Sequence, residues 1–128
     1  MDKQLNASEW KIMEYLWDAP PRTLMQTVKA MNEQVGWAKS TVTTMITRME
    51  LKGLLRFEEG GRAKLIYPAI SREDAATRET DTLLERAYGG SVGMMISALV
   101  DRKALSHEEI DELYAIIKHA EDKANDND

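Results

Sequence analysis

The sequence contains no cysteine, which excludes disulfide frameworks, thiolate metal sites and thiol nucleophiles together. No apolar run approaches the roughly 20 residues that span a bilayer; the longest, around residues 94–100, already carries Ser97. The opening MDKQLNASEW holds an acid and no apolar stretch, so no secretory signal is expected there. Cytoplasmic location without membrane insertion is the expectation. The two histidines, His107 and His119, fall on one expected helix at a spacing that does not make a ligand pair. HExxH, GxSxG and a glycine-rich phosphate loop are all missing. Neither an enzyme nor a metal or cofactor site is expected. Internal repeats and low-complexity tracts are absent as well.

What is present is a globular composition, 43% hydrophobic and 30% charged over 128 residues. That suits one average domain or two small ones. The net charge of −5 argues weakly against a polyanionic partner, but the charge is unevenly spread. Residues 1–70 hold 10 Lys/Arg and 8 Asp/Glu, whereas residues 71–128 hold 7 and 14. Two functional parts, 1–70 and 71–128, are expected, and only the first could face nucleic acid.

Asn6 followed by Glu9 reads as a capping box, flanked by a Leu5/Trp10 staple. Trp10, Met13, Leu16 and Trp17 recur at helical spacing until Pro20-Pro21 ends the helix. Thr23 with Gln26 opens a second helix, and Gly36 breaks it. A third helix is expected over 38–52, with Gly53 as its left-handed cap. Leu55 and Phe57, then Ala63, Leu65 and Tyr67, alternate around Gly60-Gly61, which predicts a β-hairpin. Ser71 with Asp74, Ser91, and Ser106 with Glu109 open three more helices, over 71–88, 91–102 and 106–123. Residues 124–128 are expected to fray.

On a helical wheel the third helix puts Val42, Met45, Ile46 and Met49 on one face and Ser40, Thr43, Thr44 and Thr47 on the other, with Arg48 at the edge. A small, polar, nearly acid-free face can approach base edges, and threonine offers both a hydroxyl and a methyl. An ordinary solvated helix carries Glu and Lys at i, i+4 instead. A short helix before it and a hairpin after it make a helix-turn-helix with a wing. Arg62 and Lys64 lie at the wing turn, where a cation can reach phosphate or the minor groove. Lys39, Lys52 and Arg56 are expected to add phosphate contacts. The reading set is thus Lys39, Ser40, Thr41, Thr43, Thr44, Thr47, Arg48, Arg62 and Lys64.

The fifth helix is apolar nearly all round and must be covered. A second copy is the expected cover, through Met95, Leu99, Ile110, Leu113 and Ile117, with packing against the N-terminal domain of the same chain as the alternative. The fold class is mainly α with a small β-hairpin wing, followed by a three-helix dimerisation domain.

Several local patterns then combine. Met13, Leu16-Trp17, Trp37, Thr41-Val42, Thr44-Met45, Arg48, Lys52-Gly53, Gly61-Arg62-Ala63, Tyr88-Gly89-Gly90-Ser91 and Leu105-Ser106-x-Glu108-Glu109-Ile110-Asp111-Glu112-Leu113 resemble the penicillinase-repressor family (BlaI/MecI type) over nearly the whole chain. The resemblance implies a homodimeric winged-helix repressor on double-stranded inverted-repeat operators, often with TACA and TGTA half-sites. It also implies release by a membrane sensor-protease system that cuts the repressor in the fifth-helix region. Ala98-Leu99 is the candidate cleavage position here, where antibiotic-responsive staphylococcal members carry Asn-Phe. The copper-responsive branch, with its C-terminal cysteines, does not fit a cysteine-free chain. A winged-helix regulator controlled by a small-molecule ligand and a winged-helix protein-assembly module remain the alternative readings.

Overall fold

The computed structural model describes residues 3–127. Among them the chain forms six helices and three short strands: α1 (Ala7–Asp18), β1 (Arg22–Thr23), α2 (Leu24–Val35), α3 (Lys39–Leu51), β2 (Leu55–Gly60), β3 (Ala63–Pro68), α4 (Arg72–Tyr88), α5 (Val92–Arg102) and α6 (His107–Asp126). The capping boxes form as local chemistry dictates. Asn6 and Glu9, Thr23 and Gln26, and Ser106 and Glu109 each exchange side-chain and backbone hydrogen bonds in both directions. Ser71 and Ser91 cap α4 and α5 through the backbone N–H of Asp74 and Met94.

The third helix ends in two nested turns. Gly53, at φ +80°, donates to the Glu50 carbonyl, and Leu54 donates to Met49 across it. Leu54 and Met49 are both fully buried, so the apolar contact that accompanies a Schellman cap is present.

The three strands form one antiparallel sheet in the order β1-β3-β2. The wing turn is centred on Gly61 and Arg62, between the paired Gly60 and Ala63. This is one residue later than the Gly60-Gly61 turn expected from sequence. Gly61 takes the positive φ of +75°, while Gly60 is required for space: a Cβ there would lie 2.5 Å from Leu65 Cγ. Strand β1 escapes a sequence reading because it is two residues long and exists only by pairing Arg22 with Ile66 and Thr23 with Leu65.

By packing, the chain divides into a first compact unit that ends at Leu83 and a second that begins at Leu84. The expected division lay between residues 70 and 71. The opening turns of α4 pack with the first unit: Ala75 is buried, and Arg72 pairs with Glu14. The core of the first unit is built from Ile12, Met13 and Leu16 of α1, Met31 of α2, Val42, Ile46 and Met49 of α3, and Ile66 of β3. Trp17 closes one side, its indole N–H donating to the Ile70 carbonyl at 2.9 Å. In the second unit no described residue is buried. Helix α6 continues through residues expected to fray: its regular turns reach Asp126, capped by Asn127. Once a helix is nucleated, each added residue gains a hydrogen bond at small cost. Asp128 lies outside the described residues.

Candidate nucleic-acid interface

The turn between α2 and α3 is held by Gly36, left-handed at φ +73°, whose N–H reaches the Asn32 carbonyl. The Asn32 side-chain amide then donates to the Trp37 carbonyl at 3.1 Å. With that turn set, Val42, Ile46 and Met49 anchor α3 in the core and Met45 is half-buried. The opposite face is left outward.

Lys39, Ser40, Thr41, Thr44, Thr47 and Arg48 are all exposed, and Thr43 is half-buried. The hydroxyls divide into two kinds. Thr43 and Thr47 donate back to the carbonyls of Ser40 and Thr43, at 3.1 and 3.0 Å. Their oxygens remain acceptors only. Ser40, Thr41 and Thr44 make no side-chain hydrogen bond among the described residues and are free to donate as well as accept. Ala38 leaves the first turn of α3 without a side-chain cap.

The cations also separate into two kinds. Lys39, Arg48 and Arg62 have no ion-pair partner among the described residues, and Arg62 is exposed at the wing turn. Lys64 lies over the Phe57 ring, its Nζ 5.3 Å from the centroid. The register makes Lys64 and Phe57 diagonal neighbours on adjacent strands, so the ring supports the lysine stem without consuming its charge.

Two cations expected to contact phosphate already have partners, and for Lys52 the expectation is corrected. Lys52 turns inward, its Nζ 2.8 Å from Glu9 Oε1 and 3.1 Å from the Gln4 carbonyl. Arg56 pairs with Glu58 and stacks 4.3 Å over Tyr67, its cross-strand partner. Lys52 is held by a nearly buried carboxylate, whereas Arg56 sits in an exposed pair on its own strand, which is a weaker hold. Four exposed cations outside any ion pair, Lys39, Arg48, Arg62 and Lys64, then lie on α3 and the wing, where Glu50 and Glu59 are the acids outside any ion pair among the described residues. Phe57 and Tyr67 went unnoticed as supports. Their signal was the pairing of aromatic and basic positions across the hairpin, which needs the register.

In the second unit Met95 and Leu113 are half-buried, while Leu99, Ile110 and Ile117 are 56%, 38% and 54% exposed. Ile96, Val100, Leu105, Leu113 and Ile116 line an apolar groove between α5 and α6. Ala98 is half-buried and sits with Leu99 inside regular α5. No described helix is long and apolar enough to cross a membrane.

Three helices, a two-strand wing and a short third strand define a winged helix-turn-helix. The model of the penicillinase repressor family matches residues 5–119, and the chain belongs to that family. It is 28% identical to the penicillinase repressor of Bacillus licheniformis over 115 residues, covering 90% of each chain. It is 22% identical to the methicillin resistance regulatory protein MecI of Staphylococcus aureus (strain N315), over 89% of this chain and 93% of that one. The solution structure of the DNA-binding domain of the repressor BlaI matches with a TM-score of 0.52 and 25% identity, over 56% of this chain and 88% of that one. A second match, with the same TM-score and identity, is the B. licheniformis BlaI monomer in complex with the blaP half-operator, covering 56% of this chain and 87% of that one.

Proposed function

We propose that this protein is a dimeric transcriptional repressor that reads an inverted-repeat operator with α3 and the β2-β3 wing. The observation that carries this reading is the outward face of α3. It is acid-free from Lys39 to Arg48, offers hydroxyls and methyls, and is flanked by unpaired cations on the helix and the wing. Solvated helices commonly gain from Glu and Lys at i, i+4, whereas a surface that meets base edges and phosphates is favoured by the lack of acids. Thr41, Thr44 and Thr47 serve as base-edge groups. Lys39, Arg48, Arg62 and Lys64 serve as phosphate contacts. That the related BlaI has been solved in complex with a half-operator supports an operator-binding role for the winged unit.

A second copy of the chain covers the apolar face of α5 and α6, placing two reading heads on two half-sites about one helical turn, or a multiple of it, apart. Release follows from loss of that dimer. A cut at Ala98-Leu99 by a sensor-protease would remove the end of α5 and all of α6, and the two heads would lose their mutual effective concentration. Because the bond lies within helical backbone, cleavage requires local opening, which the glycines at 89, 90 and 93 favour.

The test is a gel shift of DNA upstream of the protein's own gene, against a scrambled duplex, over a salt series. Four free cations per chain give about eight neutralised phosphates per dimer, hence a slope near −7 and a loss of about 10⁴-fold between ~50 and ~200 mM salt. Equal affinity for the scrambled duplex would overturn the reading.

A further inference from the structure

Lys52, withdrawn from the DNA-facing side, belongs to a polar chain that crosses the first unit. It caps the C-terminal end of α3. Its ammonium donates to Glu9 Oε1 and to the Gln4 carbonyl, at 2.8 and 3.1 Å. Glu9 is only 5% exposed and also accepts from the Asn6 N–H at 3.0 Å. The Gln4 side chain continues the chain into α4, accepting from the Thr82 hydroxyl at 2.9 Å and donating to Glu79. Beside it the Lys3 stem lies over the left-handed turn that ends α3, its Cε 3.1 Å from where a Cβ on Gly53 would stand. Leu5 is buried in the core between these polar contacts.

The segment 3–6 therefore touches the end of the reading helix on one side and α4 on the other. Helix α4 is the element whose last turn passes into the second unit at Leu84. A capping box alone would need only Asn6 and Glu9. The reach of Gln4 to Glu79 and Thr82, some 75 to 78 positions away in sequence, does nothing for the cap. What it does is hold α4 against the unit that carries α3.

We propose that segment 3–6, with Glu9, Lys52 and Thr82, is a clasp that fixes the direction of α4 relative to the reading helix and thereby sets the half-site spacing the dimer accepts. This rests on the repressor reading above. Gln4 and Thr82 are positioning residues that touch no DNA. Loosening the clasp lets α4 swing, so the two heads tolerate more spacings and pay more ordering cost at the preferred one.

The test uses the full chain with Gln4→Ala and, separately, the near-isosteric Thr82→Val. Affinity is measured for a single half-site and for inverted repeats whose half-site separation is varied one base pair at a time. Both variants are expected to bind the single half-site within about twofold of wild type and to lose about fivefold to tenfold at the preferred spacing, the effect of the one hydrogen bond removed by Thr82→Val or the two removed by Gln4→Ala. Their spacing profile should be broader. A wild-type profile in both variants, or an equal loss on the single half-site, would overturn the clasp; so would a wild type that binds all spacings alike. Failure of wild type to prefer any half-site over scrambled DNA would instead overturn the repressor reading on which the clasp rests.

Discussion

In the first unit Leu16 and Met49 are at 0% exposure, whereas in the second Leu99 and Tyr114 stand 56% and 70% exposed. The two units are drawn from one chain of ordinary composition, yet they use apolar residues in opposite ways. Helices α1 to α3 and the sheet enclose each other, so each apolar face finds a partner within the unit. Helices α5 and α6 are two elements with apolar stripes on more than one side, and two helices have no closed interior. Val92, Met94, Ile116 and Ile117 are also 54–61% exposed. The difference teaches that the first unit encloses its own core, whereas the second leaves most of its apolar side chains bare within one chain.

The strongest way to break this comparison is to charge the bare face. Against a second copy, Leu99→Asp buries an unpaired carboxylate, at a cost of several kcal/mol. Light scattering at micromolar concentration should move from dimer to monomer mass. Binding to a two-half-site operator should fall about 10²- to 10⁴-fold while single half-site binding is retained. A wild type that already has monomer mass would show that the exposed apolar face is not an interface between copies.

A second substitution sharpens the contrast from the other side. Ile46 is 1% exposed in the first unit, so Ile46→Ala should cost about 2–5 kcal/mol through lost burial and the cavity left behind. Calorimetry should find the resulting fall in melting temperature independent of protein concentration. Melting of the second unit should instead rise with concentration, because association stabilises only the folded form. Equal concentration dependence in both units would contradict the division.

The same contrast governs what could be read from sequence. Contacts between near neighbours were plain: the capping boxes at Asn6, Thr23 and Ser106 and the cap at Gly53 are chemistry within a few residues. The outward face of α3 was plain too, since helical periodicity alone separates Val42, Ile46 and Met49 from the threonines. Lys52 and Arg56 were not. Their partners are fixed by tertiary approach, Glu9 from 43 positions away and Tyr67 from across the hairpin. Strand β1 was hidden for the same reason. The packing boundary inside α4 reflects contacts such as Arg72 with Glu14 and Gln4 with Thr82, which no window along the chain reveals.

A smaller effect separates the two kinds of contact within the first unit. Thr44 is exposed with a free hydroxyl, so Thr44→Ala should cost about 1 kcal/mol on the preferred operator and relax base choice at one position. Arg62 at the wing turn carries charge toward phosphate, so Arg62→Ala should weaken all sequences alike and lower the salt slope by about 1. Competition binding against single-base operator variants distinguishes them. A changed base preference with Arg62→Ala and none with Thr44→Ala would reverse the two roles.

The smallest effect expected is also the most direct check on the division of labour. Glu108, Glu109, Asp111 and Glu112 crowd the first turns of α6 and are exposed. Their neutralisation to Gln and Asn removes four negative charges from the second unit. Helix α6 should lose a little stability, about 0.3–1 kcal/mol for each charge that complements the helix N-terminus at low salt. Its cap survives, because glutamine at 109 can still return the hydrogen bond to the Ser106 N–H. If DNA meets only α3 and the wing, these charges make no phosphate contact, and exposed charges separated by more than a Debye length, about 8 Å at physiological salt, are largely screened. Operator affinity should then change by less than about twofold, and the salt slope, which counts phosphate contacts, should stay as it was. A large gain in affinity with a steeper slope would place the acidic start of α6 against the duplex and require the second unit to share the DNA-facing surface.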